Sequence, residues 1–146
     1  MASLRNLHKL LDREIHRIDH RDNADELFDE LARIVENLIE NALKYGRSAE
    51  DDLPIEISLK HEGAFAVFQV RDHGPGIAPE HLPRLTERFY RVDAGKSRAK
   101  GGTGLGLAIV KHIVLRHRGR LTIDSRPGEG AQFRVILPAL DPDAQP

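Results

Sequence analysis

The sequence contains no cysteine. Disulfides and thiolate metal sites are therefore excluded, a composition that fits a reducing compartment. No apolar run approaches the roughly 20 residues needed to cross a bilayer, and the N-terminus has no apolar core of the secretory kind. Neither charge sign is in excess. The chain has 22 Lys and Arg against 23 Asp and Glu, a formal net charge of −1, so bulk electrostatics favour neither nucleic acid nor an acidic membrane. There is no internal repeat and no low-complexity block. What remains is ordinary for one globular domain: 146 residues, 40% hydrophobic and 31% charged, long enough to bury a core.

Hydrophobic periodicity organises the chain. Leu4, Leu7, Leu11, Ile15 and Ile18 recur at three- and four-residue steps, which predicts an amphipathic helix over residues 4–18. Residues 20–23 read as a break, with Asp22 or Asn23 as N-cap. A second helix is expected from Ala24 to Tyr45, with Leu27, Leu31, Ile34, Leu38 and Ala42 on one face and Gly46 as its C′ residue. The period then changes to two. Ile55, Ile57 and Leu59 mark a strand, Glu62-Gly63 a turn, and residues 64–71 a second strand. Residues 79–88 are expected to hold a short helix starting near Pro83. Residues 92–102 are basic and contain glycine, as a lid would. A helix over 105–117, a strand over 121–124, a turn over 127–130 and a strand over 132–137 follow. The expected organisation is a connector over residues 1–22, one domain over 23–140 and a disordered tail over 141–146. Helices collected around a small sheet predict an α/β two-layer sandwich.

Three segments carry chemistry. The first is glycine-rich: Gly101, Gly102, Gly104 and Gly106 fall within six residues, just ahead of a helical run. Glycine lets backbone approach a ligand, and a helix start offers free N–H groups and the positive end of a dipole, so the pair suits phosphate. No Gly-Lys-Ser/Thr closes the loop, so it is not a Walker loop. In the second, Asn37, Asn41 and Lys44 lie at i, i+4 and i+7 and share a helix face. Amide oxygens can join the shell of a hard cation, and an ammonium can meet phosphate. The third is Asp72-His73-Gly74-Pro75-Gly76-Ile77, where a carboxylate ends a strand and opens a tight turn.

Taken in order with Glu87-Arg88-Phe89-Tyr90-Arg91, these segments resemble the N, G1, F and G2 boxes of the sensor histidine kinase ATP-binding domain. That domain belongs to the superfamily shared with gyrase, the ninety-kilodalton heat-shock chaperones and mismatch-repair ATPases. The boxes run from residue 37 to about 110, and a looser match continues to Pro138. The resemblance implies a Bergerat-type sandwich, a mixed sheet packed under helices, with the helix over 4–18 as an addition. It implies ATP and Mg²⁺ as cofactors. Asn41 would be the main metal ligand, Asn37 a second one and Lys44 a phosphate contact, with Tyr45 near the adenine ring. Asp72 would accept the adenine amine, where guanine would present an acceptor. Gly74 and Gly76 would allow close approach, and Ile77 would pack on the base. Phe89 would anchor the lid. Arg91 would hold phosphate with two donors, one lid cation, Lys96 in preference to Arg98 or Lys100, would reach the γ-phosphate, and Gly102, Thr103, Gly104, Leu105 and Gly106 would line the phosphate loop. Gly128-Glu129-Gly130 resembles the last glycine box and reads first as a turn.

The match has informative departures. Members that hydrolyse ATP, and related serine kinases that silence sigma factors, carry a glutamate base four residues before the metal-binding asparagine. Here Asn37 stands there and cannot take a proton, which implies slow hydrolysis. The acceptor histidine of complete kinases precedes an acidic residue. His8, His16 and His20 precede Lys9, Arg17 and Arg21, so none fits. His73 is expected to be incidental, and His112 and His117 to be helix-surface residues. The family also places a strand, a helix and a strand ahead of the N box, and only the helix over 4–18 is found. The implied role is phosphoryl transfer to a histidine on a separate dimerising helical domain, then to a response regulator. The chain would be cytoplasmic, without nucleic acid or direct membrane contact. The alternatives are an ATP-sensing module without transfer activity and a serine/threonine kinase of the sigma-regulating type.

Overall fold

A computed structural model of the chain describes residues 24–46, 53–92 and 104–139. The predicted helix 4–18, the lid and the C-terminal tail, together with Lys96, Gly102 and Thr103, lie outside these residues. Helix α1 spans Ala24–Tyr45. Its buried residues are Leu31, Ile34, Val35, Leu38 and Ala42, the three- and four-residue stripe expected of a core-facing helix. Gly46 N–H bonds back to the Ala42 carbonyl at 2.8 Å and ends the helix.

Strands β1 (Glu56–Glu62) and β2 (Phe65–Arg71) form a hairpin across Gly63-Ala64. A short 3₁₀ turn, Leu82–Arg84, follows. This replaces the short helix expected over 79–88. Pro83 cannot donate a main-chain bond, and Phe89 adopts φ +64, outside the helical region. Helix α2 spans Gly106–Arg116. Strands β3 (Arg120–Ser125) and β4 (Ala131–Pro138) form the second hairpin.

The sheet order is β1-β2-β4-β3, and every described pairing is antiparallel. The two-layer α/β class stands, but the mixed sheet does not hold for the described strands. The reason is topological. The crossover from β2 through α2 delivers β3 in the same direction as β2, and β4 then turns back and inserts between them. The two co-directional strands never pair.

One sheet face carries the core. Phe68 faces Val135, Val70 faces Phe133, and Leu59 and Ile57 face Phe68 and Val70 from β1. Leu121 and Ile123 complete the row from β3. Helices α1 and α2 pack on this face and on each other. Leu38, Val70 and Val110 are fully buried and Phe133 nearly so, each stabilising the fold by about 1.5–3 kcal/mol. The opposite face is mostly polar, although Phe65, Val67 and Ile136 also lie on it. There Gln132 donates to Gln69 at 3.2 Å, and Arg134 lies 3.9 Å from Glu62. Glu30 of α1 ties the two helices together. Its carboxylate meets Arg116 at 2.7 Å and His117 at 2.6 Å. His117 is therefore part of the helix packing rather than a free surface residue.

Candidate functional site

The end of α1, the turn after β2 and the β3–β4 turn meet. The fixed point is Asp72, the only buried charged or polar side chain among the described residues, at 4% exposure. A buried carboxylate must be hydrogen-bonded. Its Oδ1 accepts from Gly74 N–H at 3.0 Å and from Ala131 N–H at 3.1 Å. Asp72 N–H also donates to the Ala131 carbonyl at 2.9 Å. Both bonds to the carboxylate fall on one oxygen, so Oδ2 is the oxygen open to an incoming donor.

Close backbone contact brings the pieces together. A Cβ on Gly46 would sit 2.5 Å from Asp72 Cγ, and one on Gly74 would sit 2.6 Å from the Gly46 carbonyl carbon. Real Cβ atoms do not come so near, so the helix end and the turn meet only through glycine. Tyr45, at the end of α1, lies beside this junction and is 36% exposed.

On α1, Asn37, Asn41 and Lys44 are half-buried and line one shoulder of the apolar stripe. Glu36 and Glu40 lie farther out and are exposed. Lys44 Nζ is 4.0 Å from Glu40. The start of α2 faces this shoulder: a Cβ on Gly106 would lie 3.4 Å from Asn37 Oδ1. The N-cap residue of α2, Leu105, has no side-chain oxygen with which to cap the helix.

The segment before the lid reaches the same place. Phe89 N–H donates to the Gly104 carbonyl at 2.8 Å. Arg91 Nε would be 3.3 Å from a Cβ on Gly104. The structure therefore sets Arg91 beside Gly104. Phe89 does not anchor through its ring, which is 69% exposed. It anchors through its main chain, held in a left-handed conformation that non-glycine residues seldom adopt. Upstream, His81 Nδ1 pairs with the Tyr90 hydroxyl, and Arg84 stacks 4.4 Å over the Tyr90 ring. These contacts brace the segment.

The sequence reading missed the device that holds the Asp72 turn. Ile77 N–H donates to Ser125 Oγ at 2.8 Å, and Ser125 donates to the Gly130 carbonyl at 2.6 Å. Gly128 N–H donates to the Pro75 carbonyl at 2.7 Å. The Gly128–Gly130 segment is thus more than a turn, since it buttresses the turn after β2. One signal was available. Leu121, Ile123 and Ser125 alternate on the core face, so Ser125 is a polar residue at an apolar position. His73, beside Asp72, is turned to Glu56 of β1 at 3.3 Å.

Of the expected site residues, the structure places Asp72, Gly74, Gly76 and Ile77 in one turn against the end of α1, sets Asn37 of α1 beside Gly106 and Arg91 beside Gly104, and leaves Asn41 and Lys44 on the same shoulder of α1 as Asn37. Among the described residues no cluster of His, Cys, Asp or Glu could hold a metal. A divalent ion at this site would therefore be held by amide oxygens, waters and phosphate oxygens.

The family model for histidine kinase-, DNA gyrase B- and HSP90-like ATPases matches residues 27–141. The phosphate regulon sensor protein PhoR of Pseudomonas aeruginosa is 51% identical over 104 residues, which cover 71% of this chain and 23% of that protein. The sensor-like histidine kinase SenX3 of Mycobacterium tuberculosis is 46% identical over 110 residues, covering 75% and 26%. This chain thus spans about a quarter of the length of these curated relatives. Among solved structures, the mycobacterial sensor histidine kinase MprB aligns with a TM-score of 0.63 at 31% identity, covering 77% of this chain and 72% of that one. Full-length ShkA in complex with AMPPNP aligns with a TM-score of 0.66 at 28% identity, covering 80% and 23%.

Proposed function

Because the chain belongs to the histidine kinase-, DNA gyrase B- and HSP90-like ATPase family, we propose that it serves as the catalytic half of a sensor histidine kinase. It binds Mg²⁺·ATP and presents the γ-phosphoryl group to a histidine on a separate helical dimerisation domain. A response regulator receives the group afterwards. The single observation that carries this reading is Asp72: a buried carboxylate with one oxygen committed to the main chain, where the end of α1, the turn after β2 and the turn before β4 meet.

Oδ2 of Asp72 accepts the adenine amine and rejects a carbonyl at that position. Ile77, half-buried against the core, supplies an apolar surface for the base. The first turn of α2 faces the phosphates with main-chain N–H groups. Arg91 neutralises phosphate charge from the other side, and Lys44 does so from α1. Asn41, with Asn37, holds the metal ion, which when bound offsets charge on the phosphate oxygens. The similar ShkA structure holds AMPPNP, an ATP analogue, which supports a nucleotide ligand.

Asn37 also bears on the outcome. Its amide cannot accept a proton from water, so the position four residues before Asn41 supplies no base and hydrolysis is expected to be slow. A neutral imidazole needs less activation than an alcohol, and a histidine acceptor follows.

The test is to incubate the chain with γ-labelled Mg²⁺·ATP, alone and with the helical dimerisation domain of a related kinase. Acid-labile, base-stable label on the added domain supports the reading. Acid-stable label favours a serine/threonine kinase. Binding of nucleotide without transfer to any acceptor domain favours a sensing module.

A further inference from the structure

We propose that Ser125 is a positioning residue that gives the site its selectivity for adenine. The proposal rests on the reading of the Asp72 turn as the place where the base is recognised.

The turn that reads the base has two ends. Asp72 begins it, and its carboxylate is held by Gly74 and Ala131 N–H groups. Ile77 ends it, and the described bond to its N–H is the one from Ser125 Oγ at 2.8 Å. The same hydroxyl donates to Gly130 at 2.6 Å. A serine hydroxyl has one proton to give and two lone pairs, so both bonds can be made at once. The proton goes to Gly130, and a lone pair takes the Ile77 N–H.

Gly130 is itself tied to Asp72. It adopts φ +73, and a Cβ there would lie 2.1 Å from the Asp72 carbonyl oxygen. The next residue, Ala131, provides one of the two donors to Asp72 Oδ1. One hydroxyl thus fixes the Ile77 end of the turn to the segment that orients the carboxylate. Without it, the Ile77 N–H and the Gly130 carbonyl lose a common partner. The Gly128–Pro75 and Asp72–Ala131 bonds remain, but the Ile77 end is released, so the distance between the apolar floor and the reading oxygen is set less tightly. No contact between Ser125 and nucleotide is required, and the described bonds of Ser125 reach Ile77 and Gly130 rather than the start of α2.

The experiment uses the 146-residue chain and compares ADP with inosine diphosphate, which carries a carbonyl in place of the amine. Titration calorimetry is run on wild type, Ser125→Ala and Ser125→Thr, with thermal unfolding of each. In Ser125→Ala the ADP affinity should fall about three- to tenfold, the worth of one or two neutral hydrogen bonds. Inosine diphosphate should lose less, so the ratio between the two narrows. Ser125→Thr keeps the hydroxyl and should keep the ratio. Equal losses for both nucleotides, or an unchanged ratio in Ser125→Ala, would overturn the proposal while leaving the ATP site intact. A wild-type chain that binds both nucleotides equally would overturn the site reading and this proposal with it.

Discussion

Replacing Asp72 by Asn separates recognition from folding. The side chain is 4% exposed, and Oδ1 accepts two main-chain N–H groups at 3.0 and 3.1 Å. An asparagine of the same shape keeps a carbonyl oxygen for these donors, which also forbid the flipped amide, since NH₂ would then face two N–H groups. The fold should therefore lose little, and the unfolding midpoint should stay within a few degrees. What changes is the second atom. Where Asp72 offers Oδ2, Asn offers an NH₂ donor, which meets the donating amine of adenine. A hydrogen bond to a charged group is worth about 1.5–3 kcal/mol, so ADP affinity should fall about ten- to a hundredfold. The same NH₂ suits the carbonyl of guanine, so the ADP-to-GDP affinity ratio should fall further than ADP affinity alone requires. Titration calorimetry with both nucleotides, beside thermal unfolding, measures this. ADP binding within twofold of wild type by a folded Asp72→Asn protein would refute the assignment of Asp72 to the base.

Two further outcomes follow from packing. Gly46→Ala places a Cβ 2.5 Å from Asp72 Cγ and 2.6 Å from the Ala42 carbonyl, so the helix end and the turn must separate. Stability in urea should fall by about 1–3 kcal/mol, and ADP affinity should fall with it. Glu30→Ala removes the tie from α1 to Arg116 and His117. Arg116 is more than half exposed and contributes little, while the half-buried His117 bond is worth about 1 kcal/mol. The melting temperature should drop by roughly 3 °C, with ADP affinity unchanged within twofold.

The sequence by itself determined most of the elements and nominated the residues of the candidate site. The step from a 3.6-residue period to a period of two separates helix from strand because burial acts on one face of each. It placed α1 at Ala24–Tyr45 and put Asn37, Asn41 and Lys44 on one shoulder of that helix. The order of the glycine, carboxylate and asparagine segments pointed to nucleotide, and the family match bears out that family. Tertiary structure alone decided how the pieces meet. The insertion of β4 between two co-directional strands made the described sheet antiparallel, a matter of topology that no local pattern encodes. Phe89 turned out to act through its main chain, because its φ of +64 and its bond to Gly104 depend on a segment fifteen residues away. Ser125 and Gly130 entered the site from β3 and the following turn, about fifty residues along the chain from the turn they hold. Periodicity reports which face of an element is buried. It does not report which buried polar atoms find each other, because hydrogen bonds of that kind join residues only after the chain has folded.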